Sequence, residues 1–456
     1  MEETRTIAAI STGLKEAGIS VIRVSGPEAI PVSDRIFYGR KRLSDTKSHT
    51  IRHGVIRDGE RVIDEVLVSV MRAPNTYTGE DVTEINCHGG VLVTKTILKL
   101  LTEHGASLAE PGEFTKRAFL NGRMDLSRAE AVMDLVSAKN EFALKAGINA
   151  LRGGMEETVR ALRNTLLDEI AFIEAALDDP EHYELDGYAG TLLPKVSSVR
   201  RSIGELIERS KEGSLLKEGI RTAILGRPNA GKSSLLNLLS GYEKSIVTEI
   251  PGTTRDVLTE EISIGPVTLL LQDTAGIRKT LDPVEKIGVD RAKKAAFDAD
   301  LVIYLTDASE GLTAEDKAIL EEVKAPKIVL YNKADLMAEK ALKTAEKEDS
   351  GAAPIFFSCI TKEGLETLKN RIASMFDRGE LRLNDEIVIA NLRQEKLLQE
   401  SCRALCSVED GIRDGVSEEF LSADLMEAYS RLGEIIGEEV TDDVVDRVFE
   451  KFCMGK

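Results

Sequence analysis

The chain has 456 residues, 60 basic and 78 acidic, for a formal net charge of −18, with 42% hydrophobic and only 4% aromatic residues. At about 100 to 200 residues per domain this length predicts two to four domains with cores of their own, and the composition excludes a disordered or collagen-like chain. The charge excludes capture of nucleic acid by the bulk field, which repels phosphate, so any such partner must find a local patch.

The opening run MEETRTIAAISTGLKEAG carries acidic residues where a signal peptide needs basic ones, and no apolar run approaches the ~20 residues that span a bilayer. A cytoplasmic protein without a membrane partner is the expectation. Five cysteines (Cys87, Cys359, Cys402, Cys406, Cys453) make neither a disulfide framework nor a CxxC pair, which also argues against zinc. Residues 1–120 balance 16 basic against 16 acidic side chains, whereas 380–456 hold 9 against 19.

Taken in chain order, residues 1–120 mix the β-type runs ISVIRVSG, RVIDEVLVSVM and DVTEINCHG with a helical stretch, VLVTKTILKLLTEHG, that stops at glycine, as in a compact α+β domain. Cys87-His88-Gly89-Gly90 reads as a structural turn, because adjacent residues on a strand face opposite ways and cannot form a Cys/His catalytic pair. From 121 to 218 the pattern is helical. Leu144, Ile148, Leu151, Met155, Val159, Leu162, Leu166, Ile170 and Ile173 recur at spacings of three and four and predict one long amphipathic helix. DDPEHYELDGYAG breaks it, and VSSVRRSIGELIERSKEG resumes.

Residues 219–379 alternate apolar strands (RTAILG, VTLLLQDT, LVIYLTDA, KIVLYNKAD, APIFFSC) with polar-faced helices, which predicts an inserted α/β domain with a parallel sheet. Helical sequence returns in 380–456, in IANLRQEKLLQESCRALCSVEDGI and LSADLMEAYSRLGEIIG, and with 121–218 it is expected to close as a bundle.

The strand RTAILG runs into Gly226-Arg227-Pro228-Asn229-Ala230-Gly231-Lys232-Ser233, which matches G-x-x-x-x-G-K-[ST] in the strand-to-helix context that gives the pattern meaning. Its glycines let backbone N–H groups close around phosphates, Lys232 can neutralise β and γ oxygens, and Ser233 can ligate Mg²⁺. Thr253-Thr254, then Asp273-Thr274-Ala275-Gly276, then Asn332-Lys333-Ala334-Asp335 follow in order. The Asp335 carboxylate can accept from the ring N–H and the exocyclic amine of guanine, a donor pair adenine lacks there, so the nucleotide is GTP or GDP. Thr254 can offer Mg²⁺ a hydroxyl, Asp273 can hold the ion through water, and the Gly276 N–H can meet the γ-phosphate. The candidate nucleotide set is completed by Ala230, Ser234, Thr274, Ala275, Lys333, Ser358 and Cys359. Ile277 stands where a Ras-type GTPase has its water-orienting glutamine, so catalysis is organised differently. Arg255 and Arg278 lie near the switches but stay outside the catalytic set.

The strings GRPNAGKSSLLN, IVTEIPGTTRDV, DTAGIRKTLDPVEKIG and NKAD, flanked by helical segments and followed by FCMGK, closely resemble the MnmE (TrmE) family of tRNA-modification GTPases, of the TrmE-Era-EngA-Septin-like superfamily. The resemblance covers essentially the whole chain. It implies an α+β folate-binding-like and dimerisation domain at 1–120, an α-helical domain at 121–218 and 380–456 with a Cys-Met-Gly-Lys tail, and an inserted Ras-like α/β P-loop G domain at 219–379. It also implies a potassium ion in the place of an arginine finger, held by Asn229, Thr248, Ile250 and Thr253, and a water-positioning acid at Glu285. A fixed cation beside the β–γ bridge would stabilise the charge that develops there.

GISVIRVSGP, PNTYTGEDVTEINCHGG and PGEFTKRAFLNGRMDLSRAEA resemble the family's N-terminal domain, itself similar to folate-binding domains of aminomethyltransferases. The matching folate contacts are Arg23, Glu80, Arg123 and Lys456. At Arg123 the family can carry lysine, which replaces a planar fork by a point donor. Cys453 would contribute nucleophilic or acid–base chemistry, beside Met454 where the family usually has isoleucine.

The implied activity is GTP hydrolysis, activated by G-domain dimerisation and potassium. It is coupled to adding a carboxymethylaminomethyl or aminomethyl group at C5 of the wobble uridine of certain tRNAs. Formyl- or methylene-tetrahydrofolate would donate the carbon. The implied partners are a second copy in a homodimer, tRNA, and the FAD-dependent flavoprotein MnmG (GidA) in a heterotetramer. The acidic balance fits a chain that leaves most phosphate contacts to that partner. Two competing classes are a ribosome-assembly GTPase, which usually carries a basic RNA-binding domain or a second G domain, and a folate-dependent aminomethyltransferase, which intact guanine-nucleotide elements argue against.

Overall fold

A computed structural model of the chain describes residues 5–183, 185–242, 260–264, 267–271, 299–337, 354–376 and 390–455. It separates into two compact units, one of residues 1–133, 150–203 and 392–456, the other of 134–149 and 204–391.

The first unit opens with a sheet of β1 (Ile7–Ile10), β2 (Ala17–Ser25), β3 (Phe37–Gly39), β4 (Thr50–Asp58), β5 (Arg61–Met71), β6 (Val82–Gly89) and β7 (Ser107–Leu108), in the order β3-β4-β5-β6-β2-β1-β7. Neighbours run antiparallel except β1 with β7. Alternation selects the buried face: Val66, Val68 and Val70 of β5 join Ile22, Val24 and Ile85, while Leu67 points outward. Helices α1 (Ala29–Ile36) and α2 (Val91–Glu103) contribute Ile30, Ile36, Ile97 and Leu101 to that core. Cys87 is buried in it, and burial pushes its thiol up, whereas His88 is exposed with its Nδ1 2.7 Å from Asp64 Oδ1. The two residues do face opposite ways, but the turn expected at Cys87–Gly90 is corrected: β6 continues through Gly89, and only Gly90 leads into α2.

After α3 (Glu113–Leu120) and α4 (Leu126–Val136), the one long helix expected from Leu144 to Ile173 is two, α5 (Glu141–Leu151) and α6 (Gly154–Asp178). The break is at Gly153, whose φ of 97° lies in the left-handed region and whose missing side chain leaves room for the Arg128 guanidinium. The periodicity runs through this break because spacing alone does not register a tertiary contact. Next comes α7 (Ala189–Glu218), which begins ahead of the segment VSSVRRSIGELIERSKEG and contains Pro194.

In the first unit α12 (Glu418–Ile436) packs with both α6 and α11 (Leu392–Asp414), the bundle being closed by apolar seams and by buried hydroxyls. Ser401 Oγ donates to Ala428 O at 3.1 Å and Ser422 Oγ to Glu174 Oε1 at 2.6 Å. The last helix, α13 (Asp442–Phe449), sets Val445 and Phe449 against Leu126, Ala129 and Val132.

The second unit is built on β8 (Ile220–Gly226), β9 (Glu260–Ile264), β10 (Val267–Leu271), β11 (Leu301–Asp307), β12 (Lys327–Asn332) and β13 (Ile355–Phe356), in the order β13-β12-β11-β8-β10-β9. Its helices include α8 (Lys232–Tyr242), α9 (Ala314–Glu322) and α10 (Leu365–Phe376). The expectation of a parallel sheet holds for β13 through β10, but β9 is antiparallel to β10, a correction. EEISI puts Ile262 and Ile264 into the core and a polar residue between them, so it reads more weakly than the continuous apolar runs. Among the described residues no helix is long and apolar enough to cross a membrane.

Candidate functional site

The carboxyl ends of β8, β11 and β12 converge, as the parallel order requires, and the loops that follow them form the candidate nucleotide site. The chain leaves β8 at Gly226 with φ of 143°, passes Asn229 at 63° and enters α8 through Gly231 at 103°. A Cβ on Gly226 would strike the Leu305 carbonyl, and one on Gly231 would strike Asn332 Nδ2. Asn332, 3% exposed, is the joint of the site: its Nδ2 donates to Ala230 O at 2.8 Å, and its Oδ1 accepts from Cys359 N at 3.3 Å. One amide thus ties the loop after β8 to the loop after β13.

Lys232 folds back across its own loop, its Nζ donating to Gly226 O and Arg227 O, each at 2.6 Å. Burial lowers its pKa, and among the described residues no carboxylate is paired with it. A half-buried ammonium held by two neutral carbonyls leaves its charge available to an anion. Ser233 and Ser234 are exposed at the start of α8, where backbone N–H groups lack helix partners, and Asn229 is exposed beside them.

Lys333 has φ of 65° and puts its ammonium 2.8 Å from Asp307 Oδ2. That hydrogen bond, with those from Ser309, holds the Asp307 carboxyl down to about 2. A pKa depressed in the folded state supports folding above the ordinary carboxylate value of 3.8 and ceases to do so as pH falls through about 2. Urea unfolding of wild type between about pH 4 and 2 is therefore expected to show a loss of stability that Asp307→Asn lacks. Equal pH slopes in the two proteins would refute this.

Asp335 lies exposed in the short turn Ala334–Leu336. Its carboxylate helps raise the pKa of the Cys359 thiol, which burial raises further and foremost. Ser358 is buried, and its Oγ accepts from the Ile360 and Thr361 N–H groups at 3.2 Å each, shaping the loop. The structure therefore brings together Asn229, Ala230, Gly231, Lys232, Ser233, Ser234, Asn332, Lys333, Asp335, Ser358 and Cys359. Thr248, Ile250, Thr253, Thr254, Arg255, Asp273, Thr274, Ala275, Gly276, Ile277, Arg278, Glu285 and Lys456 lie outside the described residues.

Sequence reading missed the support beneath Arg227. Its guanidinium pairs with the buried Asp316, with Nε 3.0 Å from both carboxylate oxygens, and holds that carboxyl well below the usual range. Tyr304 Oη donates to the same carboxylate at 2.6 Å, and the Thr313 N–H at 2.8 Å. Thr313-x-x-Asp316 is a capping box at the start of α9, a signal visible in the sequence.

A second polar cluster lies in the first unit. Arg23 on β2 pairs across the sheet with Glu84, Nη2 to Oε1 at 2.8 Å, with its guanidinium 5.3 Å from the centre of the Tyr77 ring and 5.6 Å from that of Phe114. Glu80 accepts from Ser25 Oγ at 2.8 Å and from Arg117 Nη1 at 3.2 Å. Arg123 donates from Nε to Thr76 O at 3.0 Å and lays its stem along Gly79. So Arg23, Glu80 and Arg123 surround one loop, 76–80. The tail reaches the end of β1 and the start of α3: Ser11 Oγ donates to Gly455 O at 3.1 Å, and Cys453, exposed, accepts at its carbonyl from Gly112 N at 3.4 Å. Ser25, Tyr77, Phe114 and Arg117 were not singled out from the sequence. Tyr77 beside Glu80 in PNTYTGED, and Phe114 and Arg117 ahead of Arg123 in PGEFTKRAFLNGR, were the available signal.

Comparison with known proteins gives the chain its relatives. The family model for the GTP-binding protein TrmE N-terminus matches residues 6–123, and that for the MnmE helical domain matches 126–453. A tRNA modification GTPase MnmE of Lachnoclostridium phytofermentans is 50% identical over 459 residues, covering 100% of both chains. The chain belongs to the MnmE family. Further tRNA modification GTPase MnmE relatives include one from Listeria welshimeri, 46% identical over 100% of both chains, and one from Bacillus subtilis, 44% identical over 99% of this chain and 100% of its own. Among solved structures, an Aquifex aeolicus Era bound to GDP and AlF4⁻ matches 41% of this chain and 66% of its own at 27% identity, with a TM-score of 0.27.

Proposed function

We propose that this chain hydrolyses GTP to drive tRNA modification, adding with a flavoprotein partner of the MnmG kind a carboxymethylaminomethyl or aminomethyl group at C5 of the wobble uridine. The observation that carries the reading is the Lys232 ammonium, half-buried between two backbone carbonyls of a loop that Asn332 ties to the loop after β13, in a chain related over its full length to tRNA modification GTPases.

In this reading Lys232 and the N–H groups at the start of α8 bind the β- and γ-phosphates, and Asp335 selects guanine. Gly231 and Asn332 keep the loop open to the phosphates. Mg²⁺ would be held by Ser233 with Thr254 and Asp273, and K⁺ by Asn229 with Thr248, Ile250 and Thr253. The left-handed turn that presents Asn229 and the exposure of Ser233 fit those duties. Bound there, the two cations supply positive charge against the charge that builds on the phosphates. Glu285 orients the attacking water. A tetrahydrofolate derivative takes the cluster of Arg23, Glu80 and Arg123, with Lys456 and Cys453 on the adjoining tail. The partly exposed Tyr77 ring and the charged groups suit a flat ring bearing carboxylates. The working assembly is a homodimer joined by the flavoprotein.

Deleting the gene and quantifying nucleosides in bulk tRNA by mass spectrometry tests the reading. C5-modified wobble uridine is expected to vanish and to return with wild type but not with Lys232→Ala. Unchanged nucleosides with altered ribosome profiles would move the chain to the assembly-GTPase class.

A further inference from the structure

Residues 35–57 carry seven basic side chains against the one carboxylate of Asp45, a local charge of +6 in a chain whose total is −18. They lie at the β3 edge of the first unit's sheet. β3 ends at Gly39, and the exposed run Arg40-Lys41-Arg42 follows. None of these three side chains has a carboxylate partner among the described residues. On the adjoining strand, exposed Arg57 sits with its guanidinium 5.2 Å from the centre of the Tyr38 ring, which is itself 48% exposed.

The loop that displays the run is fixed from beneath. Asp34, the nearby acid, is taken up by Leu43 N at 2.6 Å and Ser44 Oγ at 2.8 Å. Leu43 is fully buried and Thr46 is 2% exposed. Arg72 reaches under the loop to Ser44 O at 2.7 Å. A cleft of about 640 Å³ opens beside it, with Asp34, Arg35, Tyr38, Lys41 and Arg42 on its walls. Charged residues on an edge strand commonly serve only to prevent pairing with another sheet. Here, however, the unpaired cations lie in the loop beyond the strand, and the strand itself contributes an exposed aromatic ring.

We infer that this patch is the surface on which the chain contacts RNA, its three unpaired cations neutralising backbone phosphates and Tyr38 with Arg57 forming a stacking platform for an unpaired base. The inference rests on the tRNA-modification reading and assigns that substrate a contact surface on this chain. An acidic protein partner would satisfy the charges but would make no use of a ring backed by a guanidinium.

The test is fluorescence anisotropy with full-length protein and an unmodified tRNA transcript carrying a wobble uridine, titrated over a range of salt. Against wild type, the combined Arg40→Ala, Lys41→Ala, Arg42→Ala variant is expected to bind at least about tenfold more weakly, and the slope of log K on log salt should fall by about 2 to 3. Tyr38→Ala is expected to cost about fivefold or more with the slope unchanged. GTP turnover and the thermal midpoint should match wild type in both, which separates lost contact from misfolding. The inference is overturned if the triple variant keeps wild-type affinity and slope, if wild type itself does not bind the transcript, or if tRNA binding is intact while association with the flavoprotein is lost. The nucleoside measurement judges the function independently, so either reading can fail alone.

Discussion

Lys232→Ala is expected to lower kcat/KM for GTP by about 10²- to 10³-fold, the usual loss when one preorganised charge-bearing donor is removed from a phosphate site, while leaving the unliganded protein at least as stable as wild type. The two halves of this expectation share one cause. The ammonium is half-buried and, among the described residues, bonded to Gly226 O and Arg227 O, and burial depresses its pKa, so folding holds the charge at some cost. Alanine removes that cost together with the phosphate contact. Lys232→Arg is not a rescue, because a point donor sits within 2.6 Å of both carbonyls and a planar fork has no matching arrangement. Steady-state turnover with calorimetric melting checks it. Turnover close to wild type, or a fall in melting temperature that tracks the loss of activity, would count against the role assigned to Lys232.

Asp335→Asn is expected to weaken GTP at least about a hundredfold and to improve xanthosine triphosphate relative to it. The carboxylate is exposed in the turn at 334–336 and makes no hydrogen bond or ion pair among the described residues, whereas its neighbour Lys333 is committed to Asp307. It is therefore free to accept from both donors on guanine's edge. An amide can accept one of them but sets its own N–H₂ against the other, while the second carbonyl of xanthine accepts what the amide donates. Competition binding with the two nucleotides decides the point. An unchanged preference for GTP would take base selection away from Asp335.

Much of the fold is legible where the signal is local. RVIDEVLVSVM is β5 residue for residue, and VLVTKTILKLLTE is α2, because alternation or helical spacing there agrees with the side that is buried. The loop from Gly226 to Ser233 is legible for the same reason: its glycines are demanded by backbone angles and by close approach of Leu305 and Asn332. What escaped depends on partners far along the chain. The break at Gly153 is set by Arg128, and the support of Arg227 comes from Asp316, 89 positions on. β9 is half polar and is defined by its pairing with β10. At the second cluster the sequence pointed to Arg23, Glu80 and Arg123, and the structure gathers them around one loop. It also gives Arg23 and Glu80 ionic partners, Glu84 and Arg117, that no spacing rule announces.

The contact between Ser11 and Gly455 joins positions 444 apart. During synthesis the ribosome makes about 5 to 20 residues per second, so the end of β1 waits on the order of half a minute for the segment that bonds to it. Every strand of the second unit, from Ile220 to Phe356, is translated in that interval. α6 likewise emerges long before α12, the helix that packs against it. A nascent chain of this protein therefore exposes an unfinished bundle while the strands of its inserted unit have already been made. Its early apolar surfaces are the ones a chaperone working at the ribosome would meet first.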